Sequence, residues 1–304
     1  MDSFFQQALN GLGLGAIYAL IALGYTMVYG VLRFINFAHA DVLMLGAFSA
    51  FYLAPLVERI SGGSAVLSAI LVFIFAAAIC AVIGMTIERL AYRPLRNRPK
   101  LTVLITAIGV SLFIEFTCQH EKVFGASPQP FPQLIEDHSF QLGEHLIVSS
   151  NDLLIIGLTA VLLLAMWFLV QKTRIGTAMR AVSHNQNAAL LMGVPVNRII
   201  SLTFGLGSAL AAIAGILYSI KAPGIEPLMG VQPGLRAFIA AVLGGIGNLP
   251  GAVIGGLIIG LLETFAGGIP GLSNYRDAIA FGILIIILLF KPAGLLGRCT
   301  VEKV

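Results

Sequence analysis

Long apolar runs alternate with short polar segments along the whole chain. The apolar runs lie at residues 8–30, 41–57, 64–87, 101–118, 153–171, 199–220, 228–247, 251–266 and 275–290. A helix needs roughly 20 apolar residues to cross the hydrocarbon layer of a membrane, so the second, eighth and ninth runs are marginal. The pattern predicts an all-α integral membrane protein with eight or nine transmembrane helices, one or two of them broken or re-entrant. We expect a single transmembrane domain over residues 1–304.

Composition supports membrane embedding. Of 304 residues, 58% are hydrophobic and 11% are charged, whereas soluble domains carry about a quarter charged residues. Small residues let membrane helices approach closely, and the glycine pairs Gly11/Gly15 and Gly256/Gly260 have the spacing of closely crossed helices. The net charge of +4 comes from cations in short loops. We therefore expect the lipid bilayer as a partner and no nucleic acid.

The loop charges predict an orientation. Residues 88–100 and 172–198 are rich in Lys and Arg, and the C-terminus adds Lys291, Arg298 and Lys303. The loop 119–150 is instead rich in acids. Cytoplasmic loops carry the excess of cations in membrane proteins. We therefore expect 88–100, 172–198 and the C-terminus on the cytoplasmic side, and 119–150 as a periplasmic loop.

The run 228–247 contains Pro233, Gly234 and Arg236, which are unusual in a spanning helix. A Pro-Gly pair and an arginine at membrane depth are tolerated where protein or a water-filled cavity surrounds them. One interpretation is a broken or partly re-entrant segment that lines a pathway. The alternative places Arg236 at the membrane surface, with its side chain extended toward water.

A polar cluster interrupts the first apolar region at residues 34–41, where Asn36, His39 and Asp41 lie within one or two helical turns. Such groups inside a membrane usually face a cavity or one another. One interpretation is a helix break in a translocation pathway. The alternative is a cytoplasmic turn in which Asn36 or Asp41 caps a helix that begins near Val42. Position alone leaves the two open.

The cytoplasmic segment 172–198 contains a short apolar helix. Ser183 and Gln186 have capping-box spacing, residues 188–192 (AALLM) are apolar, and Gly193 lies where a glycine ends a helix. Such a helix needs a surface on which to bury its apolar face. That surface could be lipid headgroups, the chain itself or a groove on a partner. The residues alone slightly favour lipid or the chain itself.

Three ionisable residues lie in or near other spans: Glu115, Glu263 and Asp277. Each could belong to a proton or ion relay, or lie at a span end where water reaches it. Glu263 is the deepest. A secondary transporter driven by protons through His39, Asp41 or Glu263 is therefore one functional hypothesis, and a membrane scaffold is another. The chain has no GxxxxGK[ST] loop for ATP, and its histidines and acids have no metal-site spacing, so we expect no cofactor and no metal.

Several segments resemble one family. Residues 18–30 (YALIALGYTMVYG) and 35–41 (INFAHAD) resemble the opening of branched-chain amino acid ABC transporter permeases of the shorter, LivH-like type. Further matches are residues 88–96 (ERLAYRPLR), 174–181 (RIGTAMRA), 240–252 (AAVLGGIGNLPGA) and 292–298 (PAGLLGR). The family usually has glycine where Ala40 stands, and alanine tolerates helical geometry better than glycine does. A sharp break at that residue is therefore less expected.

The resemblance implies a multi-pass subunit of a binding-protein-dependent importer in the bacterial inner membrane. The implied partners are a second permease subunit, which the family favours as a longer paralogue, two cytoplasmic ABC ATPase subunits and a periplasmic substrate-binding protein. The implied cargo is a branched-chain or other neutral amino acid. The chain itself would be no enzyme, since the partner ATPases hydrolyse ATP.

The resemblance also implies roles for the two polar segments. Residues 187–189 and Gly193 fit the EAA–xxx–G spacing of importer coupling loops, with Asn187 in place of Glu. Residues 183–193 would then be a coupling helix that docks on an ATPase, and 34–41 would line the pathway. The ATPase-coupling candidates are Ser183, Gln186, Asn187, Ala188, Ala189 and Gly193. The substrate-pathway candidates are Asn36, His39, Asp41, Arg236 and Glu263.

Overall fold

The computed structural model of the protein describes residues 2–96, 98–142, 146–269, 271 and 275–297. These residues form α1 (Asp2–Leu32), α2 (His39–Ile60), α3 (Ala65–Ile87), α4 (Lys100–Gln119), α5 (Ser150–Lys172), α6 (Arg174–His184), α7 (Gln186–Leu191), α8 (Val196–Lys221), α9 (Val231–Gly244), α10 (Leu249–Gly268) and α11 (Arg276–Phe290). The predicted cations Arg298 and Lys303 lie outside the described residues.

Within the described chain, seven helices are long and apolar enough to cross a membrane. They are α1, α2, α3, α4, α5, α8 and α10. The apolar helix α9 has 14 residues and α11 has 15, which is short for a span. The predicted all-α membrane fold is confirmed. The structure gives seven full-length spans and two shorter apolar helices where the sequence predicted eight or nine spans.

Short strands lie outside the helical part. β1 (Gln129–Pro130) pairs antiparallel with β4 (Gly224–Ile225), and β2 (Ser139–Leu142) pairs with β3 (Leu146–Ser149). Three of these strands lie in the loop 119–150, which therefore contains regular structure. The β1–β4 pair joins this loop to the segment between α8 and α9.

Helix α1 lies at the centre of the bundle, and its side chains from Ile17 to Leu23 are almost completely buried. It crosses α10 at very short range. A Cβ atom at Gly15 would lie 2.9 Å from the Leu257 Cα atom, and one at Gly256 would lie 2.5 Å from the Ala19 Cα atom. The predicted close crossing is therefore present, and its two faces are the two predicted glycine pairs. Van der Waals packing at this distance is a main source of helix association in lipid.

The segments that connect the helices lie at the two ends of the bundle. After α3 the chain continues as a π-helix (Glu88–Tyr92) and a 3-10 helix (Arg93–Leu95), and this segment contacts the first turns of α8. The basic segments 88–100 and 172–198 therefore share one end. The acidic loop meets the segment after α8 at the other end, where the Phe131 N–H donates to the Pro223 carbonyl at 2.8 Å.

Candidate translocation pathway and coupling segment

The chain breaks sharply between α1 and α2. Arg33 has a φ of +56°, a left-handed conformation that residues other than glycine rarely adopt. Helix α2 begins at His39 after Ala38, whose side chain makes no capping hydrogen bond. The prediction that Asn36 or Asp41 caps a helix beginning near Val42 is therefore wrong. Ala40 is helical, and the break precedes it.

Two of the polar side chains after this break accept hydrogen bonds from neighbouring helical segments. The Tyr92 hydroxyl donates to the Asn36 Oδ1 atom at 2.6 Å, and the Ser111 hydroxyl donates to the Asp41 Oδ2 atom at 2.5 Å. Within the described chain no cation lies within ion-pair distance of Asp41. Asn36 is 5% exposed and Asp41 is 2% exposed. These contacts tie the break and the start of α2 to the π-helix that follows α3 and to α4.

His39 is 1% exposed and lies against α1. Its ring centroid is 4.6 Å from that of Tyr25, and its Nε2 atom has no hydrogen-bond partner among the described residues. A Cβ atom at Gly24 would clash with this imidazole. Gly24 therefore makes the space that His39 occupies. We call Asn36, His39, Asp41, Tyr92 and Ser111 the hydrogen-bonded cluster.

The start of α9 packs directly against the start of α2. A Cβ atom at Gly230 would clash with the Ala40 carbonyl, and one at Gly234 would clash with the Ala40 Cβ atom. The two helix N-termini therefore meet inside the bundle. Interrupted helices whose ends meet inside a membrane protein are a recurring way to build a transport site.

Arg236 lies at the centre of a second polar cluster. Its Nη1 atom is 2.6 Å from the Glu263 Oε1 atom, and its Nη2 atom is 2.8 Å from the Asp277 Oδ1 atom. The Tyr18 hydroxyl donates to the Glu263 Oε2 atom at 2.8 Å and accepts from the Arg236 Nη1 atom at 3.1 Å. We call Tyr18, Arg236, Glu263 and Asp277 the ionic cluster. It joins α1, α9, α10 and α11.

This pairing bears on the two interpretations of Arg236. Its side chain is 18% exposed and that of Glu263 is 8% exposed, so both lie inside the protein. These contacts favour the interpretation in which protein surrounds Arg236, which stays a prediction. Spacing along the chain leaves Glu263 and Asp277 as separate ionisable residues. The available signal was the cost of an unpaired charge in a membrane, which requires an acid within reach of Arg236.

The two clusters lie along one face of α1. Tyr18 belongs to the ionic cluster and Tyr25 contacts His39 of the hydrogen-bonded cluster. Seven residues make almost two helical turns, so these tyrosines point the same way and are separated by about 10 Å along the axis. The structure thus brings all five sequence-predicted pathway candidates to one side of α1, with α2, α9 and α10 around them.

The predicted short helix is present as α7, but its cap differs from the prediction. Ser183 lies inside α6, and the N-cap is Asn185, whose Oδ1 atom accepts from the Ala188 N–H at 3.0 Å. The capping-box prediction for Ser183 and Gln186 is wrong, because α6 continues past Ser183. Gly193 ends the segment with a φ of +81°, as predicted.

Helix α7 buries one side and exposes the other. Ala189 is buried, whereas Leu190, Leu191 and Met192 are 62%, 88% and 84% exposed. The Gln186 Nε2 atom donates to the Val31 carbonyl at 3.4 Å. Helix α7 therefore contacts the last turn of α1, just before the break at Arg33.

Comparison with known proteins identifies the family. The family model for the branched-chain amino acid transport system permease component matches residues 7–288. The chain is 40% identical over 305 residues to the high-affinity branched-chain amino acid transport system permease protein BraD of Pseudomonas aeruginosa, and 39% identical over 306 residues to LivH of Escherichia coli. Both alignments cover 99% of this chain and 98% of the relative. The ribose import permease protein RbsC of Escherichia coli matches 43% of each chain at 30% identity. The chain therefore belongs to the family of permease components of branched-chain amino acid ABC transport systems, which are membrane transport subunits and not enzymes.

Proposed function

We propose that this permease carries branched-chain or other neutral amino acids and forms half of the pathway with a second, longer permease subunit. Two cytoplasmic ABC ATPase subunits supply the energy, and a periplasmic binding protein delivers the substrate. The observation that carries this proposal is the alignment with BraD and LivH over almost the full length of each chain. The exposed apolar side chains of α7 support the assignment of an ATPase partner.

Substrate passes along the face of α1 that carries the two clusters. Asn36, His39, Asp41, Arg236 and Glu263 are all buried or nearly so, which describes a closed pathway. Buried polar groups are costly in a membrane and are kept where a function requires them. Opening requires the starts of α2 and α9 to separate from α1.

Helix α7 transmits the movement of the ATPase. Its most exposed residues Leu191 and Met192 dock on the ATPase, and Asn187 and Ala188 lie on the same exposed segment. Ser183 and Gln186 face the end of α1: Ser183 lines a small cavity with Gly30 and Val31, and Gln186 donates to Val31. A displacement of α7 therefore moves the last turn of α1 and the break that follows it.

The protein lies in the bacterial inner membrane with 172–198 as a cytoplasmic coupling loop, 119–150 as a periplasmic loop and a cytoplasmic C-terminus. The excess of cations in 88–100 and 172–198 supports this orientation. The location of both segments at one end of the bundle supports it as well. Cysteine labelling of the exposed residues Glu121 and His184 from either side of the membrane tests the assignment.

Replacement of Gly193 by valine tests the coupling role. A β-branched residue is strained at a φ of +81°, by about 1–2 kcal/mol. We expect amino-acid uptake by the reconstituted importer to fall about tenfold while ATP hydrolysis continues. A strain of this size corresponds to about a tenfold change in an equilibrium, since each factor of ten is about 1.4 kcal/mol. Gly125→Val is the matched control, since Gly125 has a φ of +79° and open space around it, as Gly193 does, but lies in the loop 119–150.

The same preparation separates the importer from a proton-driven transporter. Relatives give no support to the secondary-transporter hypothesis. We expect uptake to require ATP and the binding protein and to survive a protonophore. Uptake that persists in Gly193→Val and stops when a protonophore is added would replace the importer with a secondary transporter.

A further inference from the structure

A basic cleft lies beside α7, outside the pathway. It has a volume of about 1010 Å³ and opens between the segment that follows α3 and the residues from α7 to the first turns of α8. Its lining includes the four arginines Arg89, Arg93, Arg96 and Arg198. A concentration of cations in one concave site is a candidate for binding an anion.

The arginines of this cleft are poorly neutralised. Glu88 is completely buried, forms an ion pair with Arg96 and accepts a hydrogen bond from Ser201. In the part of the chain that the structure describes, no carboxylate lies within 4.0 Å of the guanidinium groups of Arg89, Arg93 or Arg198. Burial lowers the pKa of Arg96, and the charge of Arg93 lowers it further while Glu88 opposes both. The cleft therefore carries a net positive charge.

The cleft also has apolar lining, part of which comes from α3, and exposed apolar side chains lie nearby along that helix. Met85 and Leu202 line the cleft itself. Val82 is 58% exposed and Leu90 is 75% exposed on the neighbouring surface of α3 and its π-helical extension. An acyl chain on this surface would reach the cleft without crossing water. The combination of a cationic lining and an exposed apolar surface nearby is the property of a headgroup site.

We propose that this cleft binds the phosphate headgroup of an anionic phospholipid, with its acyl chains along α3. Guanidinium groups recognise phosphate through paired charge-assisted hydrogen bonds. Arg89, Arg93 and Arg198 hold the phosphate, and Arg96 is fixed at the site by Glu88 and by a 2.8 Å hydrogen bond to Asn197.

The site also contacts the coupling segment. Gln186, Asn187 and Leu190 line the cleft, whereas Leu191 and Met192 do not. A bound lipid would therefore support α7 on one side and leave its most exposed apolar residues for the ATPase. An acidic segment of the ATPase could also match the arginines, but it would not account for the apolar lining and the exposed apolar side chains along α3.

Lipid binding to the full chain in detergent tests the proposal. Dissociation constants for phosphatidylglycerol and phosphatidylcholine are measured by native mass spectrometry for the wild type, Arg89→Gln/Arg93→Gln and Arg198→Gln. The matched control is Arg98→Gln/Lys100→Gln, which removes two exposed cations next to the cleft but not in its lining. Thermal unfolding confirms that each variant is folded. Inorganic phosphate and the purified ATPase are added as competitors in separate measurements.

We expect the wild type to prefer phosphatidylglycerol, and the double variant in the cleft to bind it at least about tenfold more weakly. Arg198→Gln weakens binding less, and the control variant keeps the wild-type constant. An equal loss in both double variants would mean general attraction to the anionic surface and would overturn the site. Displacement of the lipid by inorganic phosphate at a concentration equal to that of the lipid would show that the acyl chains add no affinity and would overturn the lipid assignment. Displacement by the ATPase, with weaker ATPase binding by the cleft variant, would assign the arginines to protein docking instead.

Discussion

The two polar clusters beside α1 stabilise their buried polar side chains in different ways. The ionic cluster holds full charges, and each charge has a counter-ion on another helix. In the hydrogen-bonded cluster, hydroxyl groups donate to Asn36 and Asp41, and the Nε2 atom of His39 has no partner among the described residues. The two clusters differ above all in the free energy needed to separate the interacting side chains.

Removing one member of a buried ion pair costs about 3–5 kcal/mol, because the remaining charge is left without a partner. Losing a single neutral hydrogen bond costs only about 0.5–1.5 kcal/mol. We infer that the ionic cluster fixes α9, α10 and α11 to α1. The neutral hydrogen bond between Tyr92 and Asn36 can exchange partners at small cost, which is the property that the proposed contact with substrate needs.

The largest expected effect comes from removing the cation of the ionic cluster. Arg236→Met leaves Glu263 buried without a counter-ion, whereas Asp277 is half exposed and can be hydrated. We expect a loss of about 3–5 kcal/mol in the free energy of unfolding, measured by denaturant titration in detergent.

The double variant Arg236→Met/Glu263→Gln separates charge from shape. It removes both buried charges and keeps similar side-chain volumes, so we expect it to recover most of the lost stability. If the double variant is as unstable as Arg236→Met, the stabilisation comes from packing and the ionic interpretation is wrong.

The ionic cluster also shows which features of the fold can be predicted from the sequence and which cannot. Span positions follow from local apolar runs, and the observed helix ends lie within a few residues of the predicted ones for runs such as 64–87 and 101–118. Gly193 and the glycine pairs follow from backbone geometry and side-chain size, which are also local properties. Which acid pairs with Arg236 depends on how α9, α10 and α11 pack. Spacing along the chain contains no such information.

The capping error has a similar cause. Ser183 and Asn185 are both good N-cap residues, and both precede the apolar run 188–192 by only a few residues. The choice depends on where α6 ends, and its length is set by packing against the ends of α1 and α5. Arg180 donates a hydrogen bond to the Val170 carbonyl, which holds α6 against the last turn of α5. Local propensity could not distinguish the two caps.

An intermediate effect is expected where His39 meets α1. Gly24→Ala places a methyl group against the imidazole, and such overpacking costs about 1–3 kcal/mol. We expect a lower melting temperature for Gly24→Ala and a partial recovery in Gly24→Ala/His39→Ala, where the clash is removed. Gly109→Ala in α4 is the control, because it meets open space and helical alanine is favoured over glycine by about 0.5–1 kcal/mol. Equal melting temperatures for the two glycine variants would show that His39 is not held against Gly24.

The smallest effect tests whether the hydrogen-bonded cluster is as weakly held as its geometry implies. Tyr92→Phe removes the donor to Asn36 and keeps the ring packed against Phe204 and Phe34. We expect a loss of about 1 kcal/mol in the free energy of unfolding, with ATP-dependent uptake retained. Tyr52→Phe is the control, since Tyr52 is 46% exposed and we expect no change there. A loss near that of Arg236→Met would show that the two clusters are held equally firmly, and the pathway would then need to open elsewhere. A loss near 1 kcal/mol in the free energy of unfolding would support the proposal that a movement of α1 releases the start of α2 at a lower free-energy cost than it releases α9, α10 or α11.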